Sequence, residues 1–385
     1  MMALRVGLVC DFPEEKWLSM DLVAQMLLLH LERRHSQAVT ATRICPPFRR
    51  RFTRLGNGHR LFTADRALNR WRDYPQFVSA LNGNFDVYHV VDHSYSHLLH
   101  NLPSRRAVVT CHDLDAFRCL LEPDQEPRSH LFKKALQYVL TGLQQATHIA
   151  CVSGATRDAL LAYGIVASER VSVVPNGADP ACSPQPNQEA DRAADALLGP
   201  SPASAIEILH VGSTIPRKRI DVLLRVINAL GMEAPFVRLI RIGEPFTASQ
   251  RSLIDRLDLS SAVTVLPFLD KAVLAAVYRR AALVLLPSER EGFGLPVVEA
   301  MACGTPVVAS AIPAVREVGG DAATYCRAGD VEHWTETVLE LLRERREEPE
   351  RWASRREACI RQAATFTWQE HARRMVELYQ QVLSS

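Results

Sequence analysis

Lysine is scarce in this 385-residue chain: of 45 basic residues, 40 are arginine, leaving only Lys16, Lys133, Lys134, Lys218 and Lys271. Codon bias in a GC-rich genome produces such an imbalance, but it also makes each lysine's position worth reading. The nine cysteines include no C-x-x-C pair and no His/Cys zinc spacing, which excludes the common thiolate metal frameworks. Several, such as Cys10 and Cys151, lie inside apolar runs and read as small buried hydrophobes of a reducing compartment. No apolar stretch approaches the roughly 18 residues of a membrane span. The run at 4–10 is too short for the core of a signal peptide, so a soluble cytoplasmic protein is expected. A large excess of one charge is also missing. The net charge of +2 gives no footing for nucleic acid, and 47% apolar with 23% charged residues excludes a disordered or fibrous chain.

What is present is alternation. Short β-branched runs are followed by longer helical patterns, the mark of a parallel α/β architecture. Strands are expected at 4–10, 39–44, 87–91, 107–110, 148–152 and 171–174, and helices at 21–32, 131–145 and 155–163. The proline-rich stretch 175–204, with one short helix at 189–198, reads as a linker. The pattern then restarts with strands at 206–211, 236–242, 263–265, 283–286 and 306–309, and turns helical from 331 onward. Two doubly wound, Rossmann-like domains are expected, over 1–190 and 200–365. They would face each other across a crevice at the carboxyl ends of their strands.

The most informative segment is 285–310. A buried strand ends at Pro287 and Ser288. A loop carrying Gly292 and Gly294 follows, then a helix from Leu295 with Pro296 in its first turn, and Gly304 ends it. Strand, glycine loop and helix N-terminus together form an anion site. Glu291 and Glu299 flank that site, where they would repel a phosphate but accept hydrogen bonds from hydroxyls. A ligand with phosphates between hydroxylated rings, a nucleotide-sugar, satisfies both demands. The plainer alternative makes Glu291 a favourable helix-start charge and Glu299 a solvated helix residue.

This segment resembles the signature of retaining glycosyltransferases of family 4, which have the GT-B fold, with seven residues between two glutamates. The stretch 211–224, with Gly212, Ser213, Arg217 and Lys218, is similar to the family's glycine turn and phosphate-binding lysine. His112-Asp113-Leu114, the helix start at 151–158, the segment 173–179 and the closing helix after Phe366 also match, so the resemblance covers nearly the whole chain. It implies a metal-independent transferase using a GDP- or UDP-sugar such as GDP-mannose. The acceptor would be a glycan, a lipid-linked or another hydroxyl acceptor, and the last helix (366–385) would cross back to complete the first domain. By the same resemblance Glu291 meets hydroxyls of the transferred sugar, with Gly292, Phe293, Gly294 and Leu295 around sugar and phosphate. Glu299 holds the ribose, Lys218 and Arg217 neutralise the leaving diphosphate, and Phe268 and Leu269 pack on the base. His112 lies near the transferred sugar, or is a hydrogen-bonded core histidine.

The chain departs from the pattern twice. Ser213 stands where many relatives have arginine, and the loop 10–21 after the first strand has no glycine. Lys16 and Ser19 are its candidate substitutes, or else the loop shapes the acceptor pocket. On the acceptor side, His93, Tyr95 and Asp113 join the candidates. Residues 43–72 carry nine arginines against Asp65 alone. This patch reads as a seat for an anionic acceptor, as a surface resting peripherally on the anionic inner face of the membrane, or as a solvated face. No metal ligand set and no cofactor are expected. The rival readings are a sugar-nucleotide epimerase of the same fold, a glycoside hydrolase using two carboxylates, and a non-catalytic nucleotide-sugar-binding protein.

Overall fold

A computed structural model describes residues 3–56, 58–81, 85–103, 106–199, 205–234 and 236–384. The chain divides into two compact units, one of Met1–Asn176 with Trp368–Ser385 and one of Gly177–Thr367.

Unit 1 is built on six parallel strands: β1 (Leu4–Val9), β2 (Val39–Ile44), β3 (Val87–Val90), β4 (Ala107–Cys111), β5 (His148–Cys151) and β6 (Val171–Val173). Their order is β2-β1-β3-β4-β5-β6. Strands β3, β4 and β5 are buried throughout, as a parallel sheet covered on both faces requires. Side-chain caps begin the flanking helices: Ser129 accepts from the Phe132 amide before His130–Gln145, and Ser153 from the Thr156 amide before Gly154–Ala162. The Trp368–Ser384 helix packs Ala372, Met375 and Tyr379 into one core with Leu8, Leu27 and Val108. The Tyr379 hydroxyl meets His89 Nδ1 at 2.7 Å, and His371 Nδ1 meets the Pro175 carbonyl at 2.9 Å.

The His130–Gln145 helix lies so close to the turn segment His93–His100 that a Cβ on Gly142 would sit 2.1 Å from the Ser96 carbonyl oxygen. Gly142→Ala is therefore expected to cost about 1–3 kcal/mol through overpacking. The denaturation midpoint measures it, and an unchanged midpoint would show that the helix shifts without cost.

Unit 2 has strands β7 (Ile206–Gly212), β8 (Val237–Gly243), β9 (Val263–Leu266), β10 (Leu283–Leu286), β11 (Val307–Ser310) and β12 (Thr324–Cys326). They are ordered β12-β11-β10-β7-β8-β9 and all parallel. From β7 the chain winds outward to β8 and β9, and from β10 it winds the other way. The adjacent pair β7/β10 is thus the topological switch point, where open α/β sheets leave a crevice at their carboxyl ends.

All eleven expected strands are present with ends within one residue. Two expectations need correction, and a third segment, left open above, takes a definite form. The units divide at Asn176/Gly177 rather than near 190–200, because the Gln188–Leu198 helix docks on the Lys271–Arg280 helix. Arg279 reaches Asp191 at 2.5 Å and Arg280 reaches Asp195 at 2.7 Å. Residues 200–204, the end of the expected linker, lie outside the described residues. Phe366 belongs to unit 2: its carbonyl accepts from the Ala178 amide at 3.0 Å, and its ring packs edge-on against Phe293. Finally, the arginine-rich stretch is a folded segment. The helices His59–Leu68 and Tyr74–Ser79 run through or beside it, and the buried Asp65 carboxylate accepts from the amides of Arg51, Phe52 and Thr53. Arg51 pairs with Asp73 at 2.7 Å and Arg70 with Glu15 at 3.5 Å, so the patch carries less free charge than its sequence suggests. All nine cysteines are free, and among the described residues no helix is long and apolar enough to cross a membrane.

Candidate functional site

Two loops meet at the β7/β10 switch point. After β7, Gly212 takes φ +150° and the chain turns through Ser213 and Thr214 into a short 3-10 turn, Pro216–Lys218. Arg219 in the left-handed region then opens the Ile220–Glu233 helix. After β10 the loop 287–294 brings Glu291 back toward that turn. Lys218 Nζ lies 2.5 Å from Glu291 Oε1, and an Arg217 guanidinium nitrogen lies 3.2 Å from Oε2. Arg217 also donates to the Arg290 carbonyl at 2.7 Å, while its own carbonyl accepts from the Glu289 amide. Burial alone would push the Glu291 carboxyl up, but the two cations outweigh it and hold it below its ordinary value.

Beside this triad two glycines let neighbouring strands approach closely. Gly212 and Gly243 are register partners on β7 and β8. A Cβ on Gly243 would sit 2.1 Å from the Gly212 carbonyl oxygen, so only glycine fits. Phe268 stands next to Gly243 with half its surface exposed, a flat apolar face, and Leu269 follows it half-buried. The structure therefore gathers Gly212, Arg217, Lys218, Phe268 and Glu291, drawn from three loops. Gly294 at φ +101° caps the Leu295–Ala302 helix, while the Phe293 ring turns away to pack on Phe366.

Glu299 occupies a separate buried position on that helix. Its carboxylate accepts from the Tyr278 hydroxyl at 3.1 Å and faces Lys271 Nζ at 3.3 Å. Asp179 approaches the same ammonium at 4.0 Å. Here burial wins: it raises the Glu299 carboxyl above its ordinary value despite Lys271 and Tyr278. Sequence reasoning missed Lys271, Tyr278 and Asp179. The signal was available, because two of them are seven residues apart on one helix face and Lys271 is one of five lysines.

In unit 1 the loops after β1, β3 and β4 gather another polar group. Asp11, Asp92, His93 and His112 are each at most 6% exposed. Asp92 accepts from the Ser94 amide and hydroxyl, and its Oδ1 lies 3.3 Å from His93 Nδ1. The His112 amide points at His93 Nδ1 at 3.3 Å, and His112 Nε2 meets the Val91 carbonyl at 2.8 Å. Burial lowers the His112 imidazole's affinity for a proton, so the ring is neutral. Burial and the facing Asp92 carboxylate raise Asp11 well above its ordinary value, whereas His93, His112 and Ser94 bring Asp92 to about 2. Tyr95 is buried beneath the Arg70 guanidinium, 4.2 Å from its ring centre, and His93 Nε2 lies 3.9 Å from Asp113. Lys16 and Ser19 are exposed, whereas Asp11, Phe12 and the Glu15 side chain turn inward from the same loop. Among the described residues no three His, Cys, Asp or Glu side chains converge as metal ligands.

Comparison with known proteins bears on the family and the fold. A model of glycosyltransferase family 4 matches residues 22–181, and one of glycosyl transferases group 1 matches residues 199–358. D-inositol 3-phosphate glycosyltransferases of Mycobacterium tuberculosis and Mycobacterium bovis are 37% identical over 202 residues, half of this chain. The chain spans about two fifths of the length of these curated relatives. Among solved structures, sucrose-phosphate synthase from Thermosynechococcus elongatus superposes with a TM-score of 0.75 over 99% of both chains at 19% identity. Anabaena HepE, in complex with UDP and glucose, does so with 0.71 over 97% of this chain and 99% of its own at 18% identity. These structures share the GT-B fold with it. With one family model on each of its α/β units in turn, the chain belongs to the family 4, group 1 glycosyltransferases.

Proposed function

We propose that the protein transfers a sugar from a nucleotide-diphosphate-sugar to a hydroxyl acceptor, with retention at the anomeric carbon and without a metal ion. The observation that carries this reading is the Lys218–Glu291–Arg217 triad at the β7/β10 switch point. A carboxylate held between two cations is poised to exchange partners. When a diphosphate enters, Lys218 and Arg217 turn to its oxygens, and Glu291 is freed to accept from sugar hydroxyls. The cations then meet more negative charge as the bond to the leaving phosphate lengthens, so they favour the transition state over the ground state. The half-exposed Phe268 ring suits the nucleotide base, and Glu299 suits ribose hydroxyls. HepE, solved with UDP and with UDP-glucose, supports a nucleotide-sugar donor.

Unit 1 is assigned the acceptor. His112, neutral and fixed by the Val91 carbonyl, and the Asp11/Asp92 pair offer hydrogen-bond partners to hydroxyl groups. In the reaction the C1–O bond to the diphosphate breaks while the acceptor oxygen bonds C1 on the same face. The acceptor's proton passes to the departing phosphate oxygen, so no protein nucleophile is required.

The test is transfer from UDP- and GDP-sugars to a panel of glycan, lipid-linked and inositol-phosphate acceptors, with and without EDTA. The expected result is a glycoside of unchanged anomeric configuration by NMR, at a rate EDTA does not alter. A rate abolished by EDTA removes the metal-free reading. Isomerised nucleotide-sugar without transfer points to an epimerase, and donor binding with no turnover points to a binding protein.

A further inference from the structure

Ser213 follows the turn glycine, and both neighbouring cations, Arg217 and Lys218, are engaged by Glu291. Directly beneath the turn lies a third. Arg241, on β8, is fully buried, which is exceptional for a guanidinium. Its Nη2 donates to the Gly212 carbonyl at 2.8 Å and its Nη1 to the Glu244 carbonyl, while Nε has no partner. Among the described residues no carboxylate lies within ion-pair distance of it. His210, its register partner on β7, is also fully buried, with both ring nitrogens unpartnered. Burial and the nearby cations push that imidazole down to about 3, so it is neutral and offers no counter-charge. Burial likewise lowers Arg241, to about 10, which leaves it charged at neutral pH.

A buried charge is costly unless something pairs with it; here the Phe246 ring stands 5.1 Å from the guanidinium carbon, and the Glu244 carboxylate offsets only part of the cost of burial. The turn above is held at three points. Arg241 holds the Gly212 carbonyl, the Glu244 side chain faces the Thr214 amide at 3.3 Å, and Gln250 donates to the Thr214 carbonyl at 3.1 Å. Negative charge arriving on the ligand side of the Gly212–Thr214 turn would add to the little that Glu244 supplies.

We propose that Arg241 acts from below the turn, as a positioning residue that fixes the Gly212 carbonyl and supplies positive charge to the donor's diphosphate through the turn. This rests on the donor-site reading above. Being buried, Arg241 acts on the diphosphate without touching it, so charge and hydrogen bonding are separable by substitution. Arg241→Lys keeps the charge but cannot span both carbonyls. Arg241→Gln keeps a donor for Gly212 and loses the charge.

Calorimetric binding of UDP and GDP, each beside its free nucleoside, distinguishes the roles in the full-length chain. The Gln variant is expected to bind the diphosphate at least about tenfold more weakly with nucleoside affinity unchanged, and the Lys variant to stay within about threefold of wild type. Gln binding the diphosphate like wild type, or losing nucleoside and diphosphate equally, overturns the proposal while leaving the donor site intact. Should the Gln variant not fold, a diphosphate-to-nucleoside ratio in the Lys variant collapsed to one overturns it equally. Wild type binding neither diphosphate overturns the donor-site reading and this proposal with it.

Discussion

Lys218→Ala is expected to lower kcat/KM for sugar transfer by about 10²–10³, the loss typical of removing one preorganised charge from a developing oxyanion. The fall should lie mainly in kcat, since Lys218 is held by Glu291 in the resting site and reaches full strength only against the leaving diphosphate. Stability responds as well. Breaking a buried ion pair costs about 3–5 kcal/mol when the remaining charge is left alone. Arg217 still faces Glu291 at 3.2 Å, so the single variant falls below that range and the Arg217→Ala/Lys218→Ala double variant approaches it. The pH dependence has a definite sign. Glu291 titrates below its unfolded value in the fold, so its stabilisation is present above the unfolded pKa and disappears as pH falls through the folded one. Without Lys218 that acid limb moves to higher pH. A variant with wild-type kcat would remove Lys218 from the chemistry, and an unmoved acid limb would remove the pairing from the energetics.

Glu299→Gln should act in opposite directions on stability and binding. Glu299 is buried and its carboxyl is raised. For an acid this means the folded state holds the proton more tightly, so its contribution is favourable at low pH and lost as pH rises through the folded value. At neutral pH the charged carboxylate burdens the fold. Glutamine keeps an acceptor for the Tyr278 hydroxyl, and Lys271 is exposed enough to be solvated. The variant is expected to gain about 0.5–2 kcal/mol in stability, the range seen when a strained functional group is relieved. It should lose nucleotide affinity by about ten- to a hundredfold, the effect of a charge-assisted acceptor becoming neutral. Thermal melts with and without UDP or GDP read both effects in one experiment. A destabilised variant, or one stabilised by ligand as strongly as wild type, would contradict the role assigned to Glu299.

The parts of the fold legible in the sequence were those where burial on both faces writes a continuous apolar run. Strands such as β4 and β10 announce themselves because every residue in them is buried. β12, three residues at a sheet edge, carries no such run. The helices near 59–79 were hidden by arginine, since their packing depends on Asp65 and Asp73 neutralising a local surplus that linear counting registers only as charge. In the site, Glu291, Lys218 and the glycines were legible because a phosphate-binding turn needs those residue types in fixed spacing. That Lys218 and Glu291 are each other's partner was not, since 73 residues separate them and only the strand order β10-β7 brings them together. Arg241 was invisible for a related reason: in a largely apolar strand, an arginine between two isoleucines reads as solvent-facing. Asp179 sat in a segment assigned to the end of the first domain, and the structure places it beside Glu299's lysine instead.

The helix Trp368–Ser384 belongs to unit 1 although the whole of unit 2 precedes it in the chain. A ribosome therefore makes the first six strands long before the element that covers them. Until residues 368–384 emerge, Leu8, Leu27 and Val108 lack part of their cover, and His89 lacks its tyrosine. Unit 2, contiguous in sequence, has no such wait. Synthesis order and completion order are thus reversed for the two units, and the nascent first unit is the one exposed to chaperones and to aggregation in the interval.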